Sequence, residues 1–283
     1  ATYQWEFQML RGDRATARGF DNKMGSFIVA EALRLLKQDG GLDPNVGVYA
    51  VHFAGASYVR MEGIGVRSGA QGVRIATSDH ITLANCEVFN NNYGVVLSGG
   101  SDNRVENCTL HHNAHQAILG SSSSTLIING NLIYAQTGAA SDHHGIDLSY
   151  NCNAAQIIGN IITNNSGRGI TIYSCSTPTL QGNLISVHGA EAVHLQSCAS
   201  AAVLNQVVCL NANGIRAYYC PSLTLGTNRV YSNSGYGASV EGGAVLAANN
   251  LFYANAGAGL TLLNGPQSTL ENNTFYRNGT VNL

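Results

Sequence analysis

The chain of 283 residues has a formal net charge of −2 and only 11% charged residues, against about a quarter in ordinary globular proteins. It has no basic block, which excludes the concentrated Lys/Arg footprint of a nucleic-acid partner. No apolar run approaches the roughly 18 residues of a membrane span, so a soluble chain is expected.

Hydrophobic residues make up 45% of the chain, and polarity comes from Asn, Ser, Thr and 33 Gly rather than from charge. A helical bundle needs charged outer faces, so that architecture is set aside. Ala1 opens the sequence with no n-region or h-region, so any export signal is expected to have been removed or never to have existed. Residues 1–45 read as an N-terminal segment. Within it, residues 26–38 have the pattern of an amphipathic helix, with Ser26 as N-cap and Gly40-Gly41 as stop. Such a helix would cover the exposed edge of the first coil that follows.

From residue 46 to residue 283 the chain reads as one domain built on a repeat of roughly 22 to 24 residues. Each unit opens with a Gly-apolar-x-apolar run, as in Gly94-Val95-Val96-Leu97, Gly145-Ile146-Asp147-Leu148, Gly169-Ile170-Thr171-Ile172 and Gly214-Ile215-Arg216-Ala217. A second short run ending in Asn and a third such as Ile161-Ile162 follow, and an Asn-rich turn closes the unit. These pieces are too short for helices and alternate with period two, so they are strands. Three short strands per repeat over about ten repeats predict an all-β, right-handed parallel β-helix. The turn residues Asn92, Asn113, Asn165, Asn233, Asn255 and Asn278 are expected to stack as a ladder.

Six of the seven cysteines follow the same period: Cys152, Cys175, Cys198 and Cys220 recur once per repeat, as do Cys86 and Cys108. With an odd count and no CxxC, they read as a stack of small buried hydrophobes with free thiols. The coil from His115 to His143 is longer than its neighbours, the surplus being residues 136–142. His111, His112, His115, His143 and His144 gather around it but lack the spacing of a zinc site. The last repeat is still in register near residue 278 with no matching cap. The chain is therefore expected either to continue or to associate end to end through that coil.

The repeat resembles the right-handed parallel β-helix of the pectin lyase-like superfamily over residues 46–283, and within that group the mannuronan C5-epimerase catalytic module. The active-site strand of that module reads Tyr-Gly-Phe-Asp-Pro-His, and the strand here is His144-Gly145-Ile146-Asp147-Leu148-Ser149. Asp147 matches. His144 stands in place of the family's Tyr, Ser149 in place of its His, and Arg168 where the family carries a second Asp. The superfamily includes lyases, hydrolases, epimerases and non-enzymes, so the resemblance implies fold before function.

Coil alignment brings the sparse charges together. Between residues 145 and 228 the charged residues are Asp147, Arg168, Glu191 and Arg216. Asp147, Thr171, His194 and Arg216 share the middle outward position of the first strand. His144, Arg168 and Glu191 share the turn position before it, and Tyr173, Gln196 and Tyr218 the next outward position. Alternation across a strand predicts one solvent face, a shallow groove beside the long loop.

The candidate catalytic set is Asp147, His144, His194, Arg168 and Arg216, and the candidate substrate-binding set is Tyr173, Tyr218, Glu191 and Gln196. Arginines can pair sugar carboxylates and imidazoles can move protons near neutral pH. The expected function is a secreted or cell-surface (or periplasmic) polysaccharide lyase or C5-epimerase on an acidic glycan. A hydrolase using Asp147 and Glu191 comes next. The alternative is a non-catalytic β-helix that binds glycans or self-assembles. A polysaccharide is the expected partner, and no cofactor is required, although a bound calcium ion is left open.

Overall fold

A computed structural model describes residues 7–10, 14–17, 49–136 and 143–279 of the protein. From Tyr49 onward the chain winds as a right-handed parallel β-solenoid of three ten-stranded sheets. The first sheet runs from strand Tyr49–Ala54 to Leu260–Leu263, the second from Arg60–Glu62 to Thr269–Glu271, and the third from Gly65–Val66 to Thr274–Tyr276. All pairing between coils is parallel, and the one antiparallel pair among the described residues, Phe7–Leu10 with Arg14–Ala17, precedes the solenoid. The expected helix at residues 26–38 lies outside the described residues, as do residues 137–142 of the long coil.

The core follows from register. Val73, Val95, Ile118, Ile146, Ile170, Val193 and Ile215 are partners on successive strands of the first sheet, and each is fully buried. Stacking like on like lets β-branched side chains interlock at crystal-like density. Each such side chain withdrawn from water contributes about 1.5–3 kcal/mol. Ile118 pairs with Ile146 across the long coil, so the surplus residues leave the ladder in register.

The corner between third and first sheets follows one rule, in which a residue with positive φ turns the chain and the next side chain points inward. Asn90, His112, Asn164, Leu210, Ser232 and Ala254 take positive φ there. Asn91, Asn113, Asn165, Asn211, Asn233 and Asn255 follow them and are buried. Amides of this column reach the next coil, as in Asn91 Nδ2 to Asn113 Oδ1 at 3.1 Å and Asn211 Nδ2 to Asn233 Oδ1 at 3.0 Å. The ladder member in its coil is thus Asn91 rather than the expected Asn92, because Asn90 makes the turn. A second ladder, Asn131, Asn160, Asn183, Gln206, Asn228, Asn250 and Asn273, lines the corner between second and third sheets. The remaining corner holds Cys152, Cys175, Cys198 and Cys220, buried and unbridged as expected.

Backbones approach closely where each first strand begins. A Cβ on Gly214 would collide with the carbonyl oxygen of Gly237, which explains the recurrent Gly at that point.

Candidate functional site

The site residues are delivered by four consecutive coils of the first sheet. Strands Ile146–Ser149, Ile170–Tyr173, Glu191–Gln196 and Asn213–Tyr218 align Asp147 with Thr171, His194 and Arg216. The same register aligns Ser149, Tyr173, Gln196 and Tyr218. Glu191 pairs with Asn213, and the backbone N–H of Gly145 and Gly169 donate to the carbonyls of Arg168 and Glu191 at 3.0 and 3.2 Å. All nine candidate residues therefore lie on one face, in the three expected columns.

Their environment differs from the expectation of solvated positions. His144, Thr171, Glu191 and His194 are only 5, 8, 8 and 7% exposed, while Asp147, Arg168, Tyr173, Gln196, Arg216 and Tyr218 are half-buried around them. The cause is convergence across coils that stand about 4.8 Å apart. Arg168 Nε donates to Glu191 Oε2 at 2.7 Å, Arg216 Nη1 lies 3.8 Å from Oε1, and the Tyr236 hydroxyl donates to the same oxygen at 3.5 Å. One carboxylate thus holds two guanidiniums, one on either side along the axis.

Electrostatics follow from that clamp. Burial pushes the Glu191 carboxyl up, but the hydrogen bond and charge of Arg168 outweigh it and hold the group below the usual carboxylate range. A carboxylate kept ionised fits the base or nucleophile of a hydrolase pair rather than its general acid, so in such a pair the acid role would fall to Asp147. Burial, followed by the Arg168 charge, lowers the His194 pKa from 6.5, so the imidazole is neutral at neutral pH. Its Nε2 has one long contact, 3.5 Å to Gln196 Oε1, and its buried Nδ1 has no hydrogen-bond partner. His144 is engaged differently: its Nδ1 accepts the backbone N–H of Arg168 at 3.0 Å, fixing the turn that carries Arg168.

Three residues outside the nominated set complete the face. Gln116 donates from Nε2 to Asp147 Oδ2 at 3.4 Å. Thr171 presents a buried Oγ1 without a partner. Tyr236 has its phenol pushed up to about 12, by burial first and then by the Glu191 charge. Tyr236 stands in the turn column one coil beyond Asn213, so extending the same count by one more repeat finds it. The five clustered histidines separate. His111 and His112 contact each other at 2.7 Å beside the third sheet, whereas His115 and His143 stack at 5.4 Å near the long coil. Among the described residues no group of three His, Cys, Asp or Glu side chains forms a metal-binding cluster.

Comparison with known proteins meets this geometry at the level of fold. The family model described as "Right handed beta helix region" matches residues 49–208 and 192–283, most of the chain. The chain belongs to the right-handed β-helix family. Among solved members of this architecture, the periplasmic alginate epimerase AlgG superposes with a TM-score of 0.67 at 18% identity, over 86% of this chain and 65% of that one. The A-module of Azotobacter vinelandii mannuronan C-5 epimerase AlgE4 gives 0.58 at 11% identity, over 91% and 95% of the two chains. The GH136 lacto-N-biosidase of Eubacterium ramulus gives 0.60 at 12% identity, over 81% and 54%. The chain thus spans slightly less than two thirds of the AlgG structure and about half of the lacto-N-biosidase. No curated protein sequence matches it. No helix among the described residues is long and apolar enough to cross a membrane.

Proposed function

We propose that the protein acts on an acidic polysaccharide by abstracting the proton α to a uronate carboxylate, the step shared by C5-epimerases and polysaccharide lyases. The observation that carries this reading is the buried, neutral His194 flanked along the axis by two arginines that Glu191 holds in place. In the proposed step the C5–H bond breaks, the proton passes to the unprotonated nitrogen of His194, and the electron pair delocalises into the carboxylate. Arg168 or Arg216 stabilises that developing charge from a preorganised position. Return of a proton from solvent to the opposite face inverts C5, whereas departure of O4 with the C4–O4 electron pair, protonated by water, leaves a C4–C5 double bond. Asp147, oriented by Gln116, accepts a sugar hydroxyl, and Tyr173, Gln196 and Tyr218 form a polar, aromatic rim suited to sugar rings. The alginate and mannuronan epimerases of similar fold give this chemistry a precedent on a β-helix. Polymers of this kind lie outside the cytoplasm, which fits a secreted or periplasmic site of action.

The test is a panel of uronans incubated in deuterated buffer. Deuterium at C5, read by NMR, reports epimerisation, and ultraviolet absorbance of the unsaturated uronate reports elimination. Either product, lost in His194→Asn, supports the proposal. Glycan binding with neither product favours a non-catalytic β-helix, and no binding and no product overturns the proposal.

A further inference from the structure

Toward the N-terminus, the outward column of the first sheet continues beyond Asp147 through Leu119, Val96, Arg74 and His52. Its turn side carries Gln116, Tyr93, Gln71 and Tyr49, and its other flank Ser121, Ser98 and Ala76. None of these residues is acidic. Arg74 is half-buried and donates Nη2 to Ser98 Oγ at 2.7 Å. Unlike Arg168 and Arg216, it has no carboxylate within ion-pair distance among the described residues. Beside it, Gln71 holds a buried Oε1 that accepts no hydrogen bond. A partly desolvated guanidinium without a counter-ion and an orphaned buried acceptor are both costly unless something supplies a carboxylate and a hydroxyl.

We infer that Arg74 and Gln71 form a distal subsite, in which Arg74 takes the carboxylate of a uronate and Gln71 Oε1 accepts a hydroxyl of the same ring. The inference rests on the reading of the substrate as an acidic glycan lying along the coils. Arg74 stands five coils from His194, roughly 24 Å at the strand spacing. An extended pyranose chain advances by close to one coil per ring, so a bound chain needs about six rings to touch both residues. Between them Val96 and Leu119 give an apolar floor.

A uronan tetramer cannot bridge this distance and an octamer can, which defines the experiment. The ratio of kcat/KM for octamer over tetramer, together with the binding affinity of each by calorimetry, is measured for wild type, Arg74→Ala and Arg74→Lys. Wild type is expected to favour the octamer about tenfold, with Arg74→Ala cancelling the preference and Arg74→Lys keeping part of it. Added salt should shrink the wild-type preference, because the contact is ionic. Melting temperatures establish that the variants fold, and Arg74→Gln replaces the alanine variant if it does not. Equal preference in wild type and Arg74→Ala, with both oligomers still processed, overturns this inference alone. Failure of wild type to bind or turn over either oligomer overturns the proposed function with it.

Discussion

His194 and His188 are both withdrawn from water, and burial has a different consequence at each. For His194 it creates a usable base, since a lowered pKa keeps the imidazole unprotonated through neutral pH. The acid limb of kcat/KM is therefore expected below the ordinary histidine value of 6.5. Arg168→Gln, which removes the second-largest lowering influence, should move that limb to higher pH; a limb above the ordinary histidine value in wild type would exclude His194 as the base. His188 occupies a corner-ladder position where neighbouring coils place Asn, with Asn165 on one side and Asn211 on the other. Burial lowers its pKa to about 4, and its Nδ1 and the Asn165 Nδ2 both lack partners. An unfolded histidine binds a proton below about 6.5, so between that pH and about 4 the unfolded state holds more protons than the folded one. Stability then falls as pH falls through this window, by roughly 3 kcal/mol in total. His188→Asn should restore the ladder, raise the melting temperature and flatten this pH dependence. An equally steep acid loss in the variant would place the effect elsewhere.

At the scale of single elements, the corners contain more strain than the strands. Val187 is β-branched, 47% exposed and held at φ 60°, a conformation that costs an L-residue about 1–2 kcal/mol. Val187→Gly is expected to raise stability by up to about 1 kcal/mol in urea unfolding, the chain entropy of glycine offsetting part of the relief. Gly214→Ala should be strongly destabilising in the same measurement, because the Gly237 carbonyl fills the space. The strands and corners were legible in the sequence because in a parallel solenoid register equals repeat length. Counting repeats placed Asp147, Thr171, His194 and Arg216 in one column without any coordinates. What counting could not reveal is how far side chains reach across coils. The Glu191 clamp, the burial of His194 and the capture of a backbone N–H by His144 depend on rotamers, and no periodic pattern encodes those.

For the whole molecule, each coil contacts its neighbours and little else, so stability is close to a sum of coil and interface contributions. The buried cysteine stack belongs to this scale, since its thiols lie in the dry interior of coil after coil. Native protein should react slowly with a thiol reagent, and denatured protein should release seven thiols. A count of one after denaturation would mean three vertical disulfides. The coil length, near-constant apart from the one long coil, has a kinetic meaning as well. Most strands find their partner a single repeat back along the chain, so each added coil closes a loop of similar entropy. No step within the solenoid requires distant parts of the chain to meet. A polypeptide emerging end first, from a ribosome or a narrow export pore, can therefore dock each new turn on the one just completed. It has no need to wait for its C-terminus, and the transiently unpaired edge is never more than one coil wide.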